Sequence, residues 1–128
     1  MIVLGIDPGS MRTGYGAVET DGRRHRLVEM GVLAPGPGIS LPEKLRHIHA
    51  GVFALIERLS PEVLAVEDVF HAANTRTALV LGHVRGVVLL AGPNERRWPD
   101  VHAEVDDLDA AALPHHPDQV LADVVEIP

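Results

Sequence analysis

Two acids stand at the ends of short apolar runs. Asp7 closes "IVLGI" and leads into Pro8-Gly9, and Glu67 closes "VLAV". An acid that finishes an apolar central strand sits at the mouth of a site and not in a core, because a charge is rarely buried unpaired. Two carboxylates held a few ångströms apart resist joint ionisation unless a cation lies between them. Hard oxygen ligands at an open, hydrated site suit Mg²⁺, and paired Mg²⁺ or Mn²⁺ ions suit in-line attack of water on a phosphodiester. Spacing alone leaves Asp7 equally readable as a turn-former before Pro8-Gly9. The same turn is expected to aim backbone amides and the Ser10 and Thr13 hydroxyls at an anion. His71 follows Glu67 closely and reads as a proton carrier, a phosphate contact or a plain loop residue. His115 and His116 are adjacent on a proline-broken segment, do not share a helical face as a zinc pair would, and read as solvated.

The acids meet only if the strands carrying them are neighbours. Residues 2–6 form a β-branched apolar run closed by turn residues, which predicts a strand buried on both faces. "GYGAVET" (14–20), the turn "DGRRH" and "RLVEMGVLA" add two strands and complete an antiparallel meander. After the breaker-rich "APGPGIS", Ser40 and Glu43 have capping-box spacing. Leu45, Ile48, Val52, Leu55, Ile56 and Leu59 then recur at helical spacing, so a helix over 41–59 packs on the sheet. "VLAVE" (63–67) follows a helix and is expected to return as a central parallel strand. A second helix is expected over 75–91, with Ala78, Leu81, Val84, Val88 and Leu89 as core candidates. Gly82 and Gly86 lie one turn apart on it, costing helix propensity but permitting close approach.

The 128 residues amount to one small domain with enough chain for a core. There is no cysteine, so disulfides and thiolate metal sites are excluded, and a reducing cytoplasm fits. The N-terminus lacks a basic region before its apolar residues, and "GVVLLAG" is far too short to span a bilayer, so no membrane association is expected. The net charge of −7 lies wholly in residues 92–128, where two arginines face nine acids; residues 1–91 are neutral. An acidic total opposes nucleic-acid binding, whereas the neutral part, with Arg12, Arg23, Arg24, Arg26, Arg76 and Arg85, escapes that objection. Residues 1–91 are therefore read as the folded core, and 92–128 as an atypical acidic tail that is poorly ordered.

"GIDPGSMRTGYG" taken with "AVEDVFHAANTRTALVLGHVRGV" resembles the RuvC-type Holliday junction resolvases over residues 1–91. The resemblance implies an α/β, RNase H-like fold: a mixed sheet, antiparallel then parallel, flanked by helices. It implies a structure-selective endonuclease that cuts four-way DNA junctions in recombination and repair. Asp7 and Glu67 would match the first two metal-binding carboxylates, holding Mg²⁺ or Mn²⁺. Phe70 would match an aromatic that engages DNA, and a Phe just past a strand end is also placed to stack on an unpaired base, or else is an ordinary core aromatic. Arg76 reaches a phosphate or is a solvated helix-start residue. The second helix resembles a homodimer-forming helix, and two symmetric cuts call for two sites. The family's partners would include a branch-migration helicase complex.

The resemblance departs after Gly92. The family continues with a further strand, a basic connection and a helix bearing D-x-x-D-A. Here "DDLDAAAL" offers Asp106 and Asp109 in that pattern, but about one βα unit early and cut short by Pro114; an acidic tail also generates such spacing by chance. The alternative expectation is a catalytically incomplete homologue that dimerises or binds DNA weakly. A phosphate-binding piece of the sugar-kinase and actin-like ATPase fold is a third reading, and it leaves the run Glu67 to Phe70 without a role.

Overall fold

The computed structural model describes residues 1–67, 74–92 and 122–126. The elements are β1 (Ile2–Asp7), β2 (Thr13–Thr20), β3 (His25–Leu33), α1 (Leu41–Leu59), β4 (Val63–Glu67), α2 (Thr75–Ala91) and β5 (Ala122–Glu126). They form one five-stranded sheet in the order β3-β2-β1-β4-β5. The meander is antiparallel as predicted, and β4 runs parallel to β1.

Local chemistry explains the element ends. At the β2–β3 turn, Asp21 Oδ1 accepts from the backbone N–H of Arg23 and of Arg24 at 2.9 and 2.8 Å, and Gly22 takes a positive φ of 86°. Glu43 accepts from the Ser40 N–H at 2.8 Å and from its hydroxyl at 2.6 Å, closing the start of α1 as the sequence predicts. Ser60 ends that helix in a left-handed conformation, and its N–H donates to the Ile56 carbonyl. Asn74 caps α2 by accepting from the Thr77 N–H at 2.9 Å.

Both helices feed a single core. Ile48, Val52, Leu55 and Ile56 of α1 and Val84, Val88 and Ala91 of α2 cluster with Leu4, Ile6, Ala17, Leu64 and Val66 of the sheet. Full burial of a Leu, Ile or Val side chain contributes about 1.5–3 kcal/mol, so this cluster holds the helices on the sheet. Predicted core residues Leu45, Leu59 and Leu89 pack at its margin. The expectation that β1 is buried on both faces is corrected. Leu4 and Ile6 are buried, but Val3 and Gly5 on the alternate face are half-buried, because among the described residues both helices pack on one side.

The sequence reading placed no element on "ADVVE". That stretch is β5, antiparallel to β4 with Leu64 opposite Val125, so β4 lies between two strands. Phe70, His71, Asp106, Asp109, His115 and His116 lie outside the described residues.

Candidate active site

Parallel pairing of β1 with β4 sets Ile6 opposite Val66, which carries the next residues, Asp7 and Glu67, to the same sheet edge. The two exposed side chains share a hydrogen bond. That bond is the leading reason why the Glu67 carboxyl holds its proton above the usual glutamate range; burial and the nearby charge of Asp7 add to it. Gly14 lies across from Asp7 on β2, and a Cβ there would stand 3.6 Å from the Asp7 Cβ, so its absence leaves that flank of the carboxylate bare.

The loop after Asp7 is locked from within. The Gly9 N–H donates to Thr13 Oγ1 at 3.3 Å, and the Thr13 hydroxyl donates to the Gly9 carbonyl at 2.8 Å. A Cβ on Gly9 would run into the Arg12 carbonyl oxygen, so only glycine fits this tight return. Thr13 is wholly buried, and the expectation that its hydroxyl faces an anion is corrected: the hydroxyl closes the loop. Ser10 is half-buried.

The donors fit a hard divalent cation. Two carboxylates crowd one another at an exposed edge, and Mg²⁺ characteristically takes one or two carboxylates, filling its other positions with water and phosphate oxygens. Among the described residues no third His, Cys, Asp or Glu joins the pair. Arg76 is exposed in the first turn of α2.

One neighbouring residue escaped sequence reasoning. Lys44 Nζ lies 3.1 Å from Met11 Sδ, joining the first turns of α1 to the loop between β1 and β2. Thirty-three positions separate them. The available signal was a cation near a helix N-terminus, where the macrodipole favours acids.

Residues 3–105 match the family model "Crossover junction endodeoxyribonuclease RuvC". Curated relatives of that name include one from Chloroflexus aggregans, 48% identical over 91 residues that cover 71% of this chain and 56% of the relative. Another, from Anaeromyxobacter sp. strain K, is 53% identical over 91 residues, covering 71% and 49%. A solved structure, "T. thermophilus RuvC in complex with Holliday junction substrate", superposes with a TM-score of 0.67 at 36% identity, covering 71% of this chain and 56% of that one. The chain thus spans about half the length of the curated relatives and structures that it matches.

Proposed function

The chain belongs to the crossover junction endodeoxyribonuclease RuvC family, and from that membership we propose that it is an endonuclease that resolves four-way DNA junctions. The observation that carries the reading is the Asp7–Glu67 pair, set at one sheet edge by β1–β4 pairing. These carboxylates would hold Mg²⁺, with Mn²⁺ as a substitute. When bound, the metal supplies positive charge to the phosphate and lowers the pKa of a water nucleophile. The protein's own part is to hold both carboxylates toward one place. The Gly9–Thr13 lock fixes the loop that follows Asp7, and bare Gly14 leaves room beside it.

Phe70 would stack on a base opened at the junction, and Arg76 would contact a phosphate. The homodimer would form through α2, which exposes Leu79 and Leu90 and has open space above Gly82 and Gly86. Two sites related by a two-fold axis suit two symmetric cuts. A branch-migration helicase complex would deliver the junction in the cytoplasm. Among the described residues no helix is long and apolar enough to cross a membrane.

The test is incubation of the 128-residue chain with a labelled four-way junction and Mg²⁺ or Mn²⁺. Paired, symmetric nicks that disappear in Asp7→Asn are expected. An intact junction in both metals, with the protein folded, would overturn the endonuclease reading and leave at most dimerisation or DNA binding.

A further inference from the structure

Lys44 occupies a position that helix electrostatics disfavours. It is the fourth residue of α1, which begins at Leu41, next to the positive end of the macrodipole. The acid beside it, Glu43, is spent on the Ser40 N–H and hydroxyl. The ammonium instead contacts the thioether of Met11, a weak and uncharged acceptor. Arg12, next along the loop, is exposed, and neither cation has an ion-pair partner among the described residues. The local conflict is of the kind that proteins retain where a site needs it.

Position supplies the second half of the case. Met11 is four residues beyond Asp7, so their Cα atoms are separated by at most about 14 Å even with the chain fully extended. The loop is held shorter than that by the two Gly9–Thr13 hydrogen bonds. The Met11 contact thus anchors Lys44 to the loop that leaves Asp7. An anionic polymer lying across the sheet edge would meet two carboxylates at one point and, at the loop that follows, two cations without an ion-pair partner among the described residues. The acids require a metal to tolerate phosphate there, whereas the cations require only phosphate.

The geometry points to Lys44 and Arg12 as a phosphate clamp that grips the DNA backbone beside the bond to be cut, with Met11 as the rest that aims the lysine. This assignment rests on the proposed nuclease reading and adds a non-catalytic binding element to it. Contacts of this kind position the backbone and carry no sequence information.

The experiment measures junction binding by the full chain in Ca²⁺ across a salt series. Each lost phosphate contact should reduce the slope of log K against log salt by about 0.9. Lys44→Gln is expected to flatten the slope by that amount, and the Lys44→Gln/Arg12→Gln pair by roughly 1.8, equally on junctions of different sequence. Lys44→Arg should restore the slope, because the charge remains. A Lys44→Gln protein with the wild-type slope overturns the clamp while leaving the nuclease reading intact. Lowered melting temperatures in Lys44→Gln and Met11→Leu at an unchanged slope would assign Lys44 to a folding brace instead. A wild-type chain that binds no junction overturns both readings.

Discussion

Glu67 gives up its proton later than a free glutamate because Asp7 holds a hydrogen bond to it and repels its ionised form. The folded carboxyl therefore binds protons more tightly than the unfolded one, whose ordinary value is 4.5. Stability from this group is present below 4.5 and is lost as pH rises through the higher folded value. Above that window the Glu67 carboxylate is charged beside Asp7, and a divalent cation should restore what their repulsion removes. At neutral pH, Mg²⁺ at ten times its Kd should stabilise the fold by roughly 1.4 kcal/mol, a rise of about 3–8 °C in Tm by calorimetry. Asp7→Asn should abolish that rise and lower the Glu67 pKa measured by carbon-detected NMR. A Tm equally sensitive to Mg²⁺ in both proteins would remove the pair from metal binding.

Beyond its ladder with β2, strand β3 is tied to Tyr15 and to α1 by one carboxylate. Glu29 accepts two bonds from the Arg58 guanidinium, at 2.6 and 2.8 Å, and a third from the Tyr15 hydroxyl at 2.9 Å. Arg58 leads in pulling the Glu29 pKa down from 4.5 to about 2, and the hydroxyl assists. The folded value is the lower one, so this stability is complete above 4.5 and drains away as pH falls toward 2. Glu29→Gln should flatten that part of the acid-stability curve, as read by denaturant midpoints at successive pH values. Solvent exposure of Arg58 keeps the effect modest.

This brace was not legible in the sequence, because its members are scattered over 15–58 and only folding makes them neighbours. Periodic elements were legible. The run 41–59 repeats apolar residues on one helical face, and "VLAVE" is bounded by a helix stop and an acid, so both agree with the observed bounds. The meeting of Asp7 with Glu67 was legible as a condition on strand order, which β1–β4 pairing fulfils. Strand β5 was missed because Pro114, Pro117 and Pro128 interrupt the surrounding pattern, and because its partner, β4, lies some 60 residues back. The Thr13 hydroxyl was misassigned because a sequence gives the loop's residues but not which of them close it.

For the molecule as a whole, α2 is apolar on more sides than one chain buries. Val84, Val88 and Ala91 face the core, yet Leu79 is 62% and Leu90 68% exposed. Thr75, Ala78, Leu79, Gly82 and His83 line a shallow groove along the outer side. Bare Gly82 and Gly86 let a second helix come close, which matches the homodimer proposed above. Leu79→Asp should shift sedimentation from dimer to monomer at micromolar concentration and leave Tm nearly unchanged, since this side chain adds little to the subunit's own core. A dimer that survives the aspartate would place the interface elsewhere.

The strand order has a temporal side. The meander is complete once residue 33 has been synthesised, but β1 receives its second neighbour only with Glu67. At 5–20 residues per second, the ribosome needs roughly 2–7 s to cover that interval. Throughout it, the nascent chain carries β1 as a naked strand edge, open to chaperones or to the β1 of another nascent copy. The strand that later bears Asp7 at the centre of the sheet is, until β4 arrives, an open edge.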